Sequence, residues 1–536
     1  SRLTVTSGTL TNGPGGTLRS SGVRNLRILT ASIDNQGTVD IDQNLSLTNS
    51  GGSFRSSDGA LDILSGTTLT VGGGSAHLGT GTGLVGSGTV DFVVPTLELT
   101  SDLTIPSGGV RFAFGGAVQI TGAGRLTNQG SILFDNERVE VEMDNQSFMH
   151  VKGTATAING SFNNSGTLRL EAERVGQSNR NGWMTFARGF TNDGMIDLLS
   201  TTGGYSVRMT LTSGTLTNLP GGVIRSSGIG IRDGRFLSAA IDNQGTIDIQ
   251  QALLVNSISS PVSYSSSGLI QVVGGDLTLS FGAPSTFTNT GTIQISSGRT
   301  LALSGGGIFT NFSANTLTGG SYDITGTLRF HNAAISTNAA TVIMNGAGSR
   351  IVDQRDDNAL TNLAANSPDG DFTIQNGRSL STSGAFANAG AMTVGNSSTF
   401  NAAGNYSQSG GSTVLAGGNL TASSTVDIQA GLLAGDGTVN AVVINAGEVG
   451  PGASPGMLNI TGDYSQTSTG RLSVELGGTV AGSEFDRLNV TGTATLDGRL
   501  ALGLVDGFEP ADEHAFQIMT YGSRAGDFVS VTGADL

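Results

Sequence analysis

Cysteine is absent from this chain, so disulfides contribute nothing to stability and thiol redox chemistry is excluded. Lysine occurs once, at Lys152, and arginine supplies the rest of the Lys and Arg total of 26, against 41 Asp and Glu. The formal net charge of −15 disfavours nucleic acid and anionic membrane as partners, because both select a basic face. No apolar run approaches the roughly 18 residues of a membrane span. Trp183 is the only tryptophan and aromatics make up 5% of the chain, so a bulky aromatic core is not expected. No stretch sustains a helical period, and 84 glycines in 536 residues argue further against helix. Charged residues are only 12%, and Gly, Ser, Thr and Asn are abundant. That composition alone is compatible with disorder, but the regular apolar alternation argues against it. No secretory leader is visible, and Ser1 in place of an initiator Met leads us to expect a processed or trimmed start.

What the chain does have is a short unit that keeps returning. It reads apolar, spacer, Asn, spacer, Gly, spacer, then two apolar residues two apart. It spans Ile33 to Ile41, Leu126 to Phe134, Phe162 to Leu170 and Phe190 to Leu198. It returns at Ile241 to Ile249, Phe287 to Ile295 and Phe386 to Val394. The apolar positions alternate with Thr, Asp, Gln or Arg, the period of a half-buried strand. In the first copy Ile33, Val39 and Ile41 are expected inside, with Asp34 and Asp40 towards water. Asn and Gly are expected at corners because both tolerate left-handed backbone. An Asn at the same corner of successive coils can also bond to its equivalents above and below.

A larger duplication overlies the unit. Residues 7–50 are repeated as 213–256: SGTLTNGPGGTLRSSG at Ser7 to Gly22 returns as SGTLTNLPGGVIRSSG at Ser213 to Gly228. Unequal duplication in a repetitive gene explains this, since each solenoid coil needs only its neighbours. Two matching ligand-binding faces are the alternative. The fold that fits is an all-β parallel β-helix with coils of about 20 residues. A stack of immunoglobulin-like sandwiches is disfavoured, because there is no Cys pair and no regular spacing around a core Trp.

From about Ala430 the text changes. It carries Gly435-Asp436-Gly437-Thr438-Val439, Gly450-Pro451-Gly452-Ala453-Ser454-Pro455-Gly456 and Leu458 to Gln466. Leu472 to Leu476 and Phe485-Asp486-Arg487-Leu488-Asn489-Val490-Thr491-Gly492 follow. Over about residues 430–530 this resembles the C-terminal passenger region of bacterial autotransporters and related large secreted β-strand-repeat proteins. The resemblance implies a right-handed β-helix outside the cell, closed by a segment that supports folding. The expected division is a repeat region over 1–444 and a β-rich capping segment over 445–536, with Pro451 and Pro455 at the transition. Phe508, Phe516 and Phe528 are expected to add bulk to that cap. Autotransporters continue into a membrane β-barrel with long alternating strands; no such strands are read here, and the expectation is that a barrel has been cleaved or omitted or that another route of secretion is used. The expectation is therefore an extracellular bacterial β-solenoid rather than one export route.

The densest charge lies between Phe134 and Gly153. Val139, Val141 and Met143 are expected inside, leaving Arg138, Glu140, Glu142 and Asp144 outside, and Arg169, Glu171 and Glu173 repeat the arrangement. Stacked carboxylates of this kind are candidates for Ca²⁺ at Glu140, Glu142, Asp144, Glu171 and Glu173, or for the paired acids of a glycosidase. A solvated face balanced by Arg138, Arg169 and Arg174 is the simpler reading. A second cluster, with Asp353, Arg355, Asp356 and Asp357, is the best enzymatic lead, since pectin-cleaving β-helices group Asp with Arg. Here the acids are sequential neighbours, and a polar loop is expected. His77, His150, His331 and His514 show no metal spacing. No nucleophile elbow, zinc-protease motif or P-loop occurs. No catalytic residue and no cofactor is assigned.

Three functions remain open: an extracellular structural or adhesive protein, a carbohydrate-active β-helix enzyme, and a passive stalk for another domain. The first is preferred, as an elongated solenoid at the bacterial surface. Its expected partners are its own copies end to end, cell-surface or matrix components, and glycans.

Overall fold

The computed structural model describes residues 1–23, 26–48, 51–175, 178–201, 204–229, 234–257 and 261–533, among which there is no helix. The chain divides into two compact units, Ser1–Phe287 with Gly305–Ile308, and Thr288–Ser304 with Phe309–Leu536. Each is a parallel β-helix, in which a strand pairs with its equivalents one coil before and one coil after. Antiparallel pairing is confined to local excursions such as Glu173 with Arg180 and Phe312 with Leu317.

Period-two patterning produces this. In the first unit one inward column runs Leu69, Val90, Phe112, Ile132, Met149, Leu168, Ile196, Ile224, Ile247, Ile270, each in register with the next. Every member is buried. A smaller parallel sheet in the same unit joins Gly83–Gly86, Ala60–Ile63, Thr38–Ile41 and Thr17–Ser20. In the second unit the corresponding column runs Ile293, Tyr322, Val342, Phe372, Met392, Thr413, Leu433, Val449, Leu472, Leu500. Each buried aliphatic side chain contributes roughly 1.5–3 kcal/mol, so the stack is held mainly by its own interior. Thr413 and Tyr322 are the two hydroxyl-bearing residues in that column, and Thr413 is bonded to Tyr406 and Gln408 at 2.6 Å each. Parallel pairing continues beyond residue 444 to Ser530–Thr532, although Leu504 and Val531 there are exposed.

Two expectations need correction. The core is richer in rings than composition suggests, because the few aromatics are stacked coil on coil. Phe92, Phe114 and Phe134 form one such pile at 5.7 and 5.3 Å, and Phe162, Phe186 and Phe190 form another at 4.5–5.1 Å. Phe508 and Phe516 instead form a half-buried cluster with Phe485 and His514.

The second correction concerns why the repeat uses Gly. Gly194 and Gly245 are not in the left-handed region; both sit where stacked coils touch. A Cβ on Gly194 would lie 2.0 Å from the Gly166 carbonyl oxygen, and one on Gly245 would lie 2.3 Å from that of Gly222. Space, not backbone conformation, demands glycine there.

The repeat Asn residues are buried and form the ladder the spacing suggested. Nδ2 of Asn128 donates to Asn145 at 2.7 Å, Asn145 to Asn164 at 2.6 Å and Asn164 to Asn192 at 2.6 Å. Asn192 continues to Asn218 at 2.7 Å, and Asn218 to Asn243 at 2.8 Å. In the second unit Asn338 donates to Asn366, and Asn366 to Asn388, both at 2.9 Å. Each rung satisfies a buried amide that would otherwise cost a few kcal/mol.

The long duplication is reproduced in detail. Gly8 and Gly214 both take positive φ at a register shift, and Arg19–Asp40 at 3.1 Å matches Arg225–Asp248 at 2.9 Å. Residues 24–25, 49–50 and 230–233 of the two copies lie outside the described residues.

Candidate functional site

The acidic stretch behaves as alternation requires. Val139, Val141 and Met143 are buried, while Arg138, Glu140, Glu142 and Asp144 face outwards. A basic side chain lies beside each candidate carboxylate, from a neighbouring coil or, for Glu140, from two residues before it. Arg125 bridges Glu142 at 2.9 Å and Asp144 at 3.1 Å, and Arg138 contacts Glu140. His150 lies 2.8 Å from Glu171, and Lys152 lies 2.6 Å from Glu173. Arg169 pairs with Asp197 at 3.3 Å, and the Arg174 side chain lies outside the described residues. Among the described residues no group of three or more His, Cys, Asp or Glu is arranged to hold a metal ion.

The second acidic cluster is a closed loop. Asp353 accepts the backbone N–H groups of Arg355 at 2.8 Å and Asp357 at 2.9 Å. Asp356 lies between Arg329 at 2.8 Å and Arg350 at 2.9 Å, which hold its carboxyl below the ordinary range. The carboxylates of Asp353 and Asp356 are therefore tied to their own loop or to arginines, while Asp357 is exposed.

The C-terminal strings also converge. Asp436 accepts the N–H groups of Met457 at 2.7 Å and Ala453 at 3.2 Å. Asp486 accepts those of Gly456 and Glu475, both at 2.8 Å. The Pro451 to Gly456 loop is thus pinned from two coils, and burial raises Asp486 to about 6. These motifs build a hydrogen-bonded corner.

Three features escaped sequence reasoning. The first resembles a catalytic triad: Ser75 Oγ lies 2.9 Å from His77 Nε2, and Glu98 lies 2.9 Å from His77 Nδ1. The approach of Glu98 to Nδ1 has the distance of an ion pair without the alignment of a hydrogen bond. A Ser-x-His followed one coil later by an outward Glu was the available signal.

The second is Glu137, which is fully buried. One oxygen accepts the Asp135 N–H and the other has no partner. Extending the Val139–Val141–Met143 alternation backwards places it inside. Burial raises it from 4.5 to about 9, so it is neutral at pH 7. The unfolded chain releases this proton near 4.5 and the folded chain near 9, so stability falls as pH rises between those values. Glu137→Gln is therefore expected to stabilise the protein by on the order of 2–3 kcal/mol at pH 7 and by almost nothing at pH 4. Urea unfolding of both proteins across that range measures it; parallel pH profiles would contradict the assignment.

The third is a row of large side chains on an outer face: Trp183, Arg208, Phe236 and Leu254, in register on successive coils. Only the isolated identities of these residues were legible, because their alignment depends on unequal coil lengths.

No protein-family model matches this chain, and no curated protein matches it either. The fold itself defines the class: an all-β repeat protein of the parallel β-helix type.

Proposed function

We propose that this is an extracellular bacterial surface or fibre protein that acts without catalysis, through the repeated outer faces of its coils. The observation that carries the reading is how its outward charges are matched. Arg19 with Asp40, Arg125 with Glu142, Arg169 with Asp197 and Arg225 with Asp248 each link one coil to another. Polar side chains hold the stack together rather than converging on a cleft. Faces of this kind bind weakly at many points, and avidity multiplies the effect. Copies stack end to end where an unpaired strand edge accepts another coil. The resemblance of residues 430–530 to autotransporter passengers supports the bacterial extracellular setting.

Electron microscopy of native material, paired with assays for polysaccharide and ester cleavage, tests this. Surface-bound or end-to-end assemblies without turnover are expected. Cleavage abolished by Ser75→Ala or Asp356→Asn would replace this reading with an enzymatic one.

A further inference from the structure

Outward positions of the first unit carry many Thr, Ser and charged side chains, and two places also carry rings under an arginine: Phe148 beneath Arg169, which is itself paired with Asp197, and a longer row around Arg208. Trp183 lies in the strand Gly182–Phe186, Arg208 in Val207–Asn218, Phe236 in Arg235–Asn243 and Leu254 in Leu253–Asn256. All four point away from the core, and register places them one above another. The Arg208 guanidinium lies 5.6 Å from the Trp183 ring centroid and 4.7 Å from that of Phe236. The indole is fixed in turn, since Trp183 Nε1 donates to Ser206 Oγ at 2.9 Å, and the Ser206 N–H bonds Asn181 at 3.0 Å.

The neighbouring column is neutral and rich in hydroxyl and amide groups. It runs Thr185, Thr210, Ser238, Asn256 in register, with Ser238 bonded to Asn256 at 2.6 Å. Among the described residues no carboxylate lies within ion-pair distance of Arg208, although the chain is acidic.

We infer that this face is a binding site for an acidic glycan, with sugars against the parts of the Trp183 and Phe236 rings that Arg208 leaves open and a carboxylate or sulfate on Arg208. Three chemical features select that ligand. Rigid rings offer apolar platforms at low entropic cost, as the apolar face of a pyranose requires. Thr185, Thr210 and Asn256, the accessible members of the adjoining column, offer donors and acceptors to sugar hydroxyls, and buried Ser238 holds Asn256 in place. Among the described residues Arg208 has no ion-pair partner and a neutral adjoining column, which matches an isolated negative charge, whereas single-stranded nucleic acid calls for a charged groove along its whole backbone. Trp183 and Phe236 are two rungs apart, about 10 Å, so the site spans a short stretch of polymer. This assignment rests on the adhesive reading and gives it a ligand class and an address.

The test uses the full chain with hyaluronan, which carries one carboxylate per disaccharide, with neutral dextran, and with a poly-dT oligonucleotide. Hyaluronan is expected to bind and the other two at least about tenfold more weakly. Arg208→Gln and Trp183→Ala should each weaken hyaluronan binding about tenfold or more, while Arg55→Gln, an exposed arginine of the strand Ser53–Ser56, should change it less than about twofold. Unchanged thermal unfolding establishes that the variants are folded. The site is overturned if hyaluronan does not bind, if dextran or poly-dT binds equally, or if the Arg208 and Trp183 variants bind like wild type. In that last case binding persists and the adhesive reading stands. Shortening of the hyaluronan by wild-type protein would overturn the adhesive reading itself.

Discussion

Val141→Asp should cost the protein about 4–6 kcal/mol, while Glu142→Gln should cost less than about 1 kcal/mol. The two residues are adjacent but face opposite ways. Val141 is 4% exposed, and Asp there removes an apolar group and places a carboxylate in an apolar interior. Glu142 lies on the outer face with Arg125 2.9 Å away, an ion pair already largely screened by water. Urea midpoints, with hydrogen exchange at Met143 and the coils on either side, measure both effects. Loss should concentrate in those coils, because a solenoid couples only neighbours. Equal destabilisation by both substitutions would mean that the facing is wrong, or that Glu142 holds an ion.

Asn164→Ala should destabilise by about 3–5 kcal/mol and Asn163→Ala by less than about 1 kcal/mol. Asn164 is buried and accepts from Asn145 at 2.6 Å. It donates to Asn192 at 2.6 Å and to the Met195 carbonyl at 3.1 Å. Truncation leaves buried donors and acceptors unpaired on two coils at once. Asn163 bonds Asp144 at 3.1 Å and Thr191 at 3.0 Å on the exposed face, where water replaces both. Thermal unfolding of the two variants separates the ladder from the surface. A mild effect at Asn164 would show that the ladder follows from the stacking rather than supporting it.

Much of this was legible in the sequence because a parallel β-helix repeats one local rule. Alternation in the stretch from Val139 to Met143 is enough to assign the inside and outside of a strand, and the recurring Asn is enough to suggest a ladder. What escaped is whatever depends on which coil lies next to which. The partner of Glu142 is Arg125, and nothing in their separation reveals it, because coil length varies along the chain. The glycine of the repeat was expected to serve backbone conformation, yet Gly194 is required by a carbonyl on the coil beside it. Trp183, Arg208 and Phe236 are unremarkable in the text and become a platform only in register. Glu137 was overlooked because its type suggested the surface while its position in the alternation pointed inside.

Under the proposed function the outer faces bind and do not react. The most direct test of that claim is to incubate the intact chain with isolated bacterial envelope and matrix polysaccharide, following sedimentation of the protein and polymer length by size exclusion. The expected result is protein that sediments with the surface while polymer length stays constant over many hours. Polymer that shortens catalytically, with protein that remains in the supernatant, would contradict the claim.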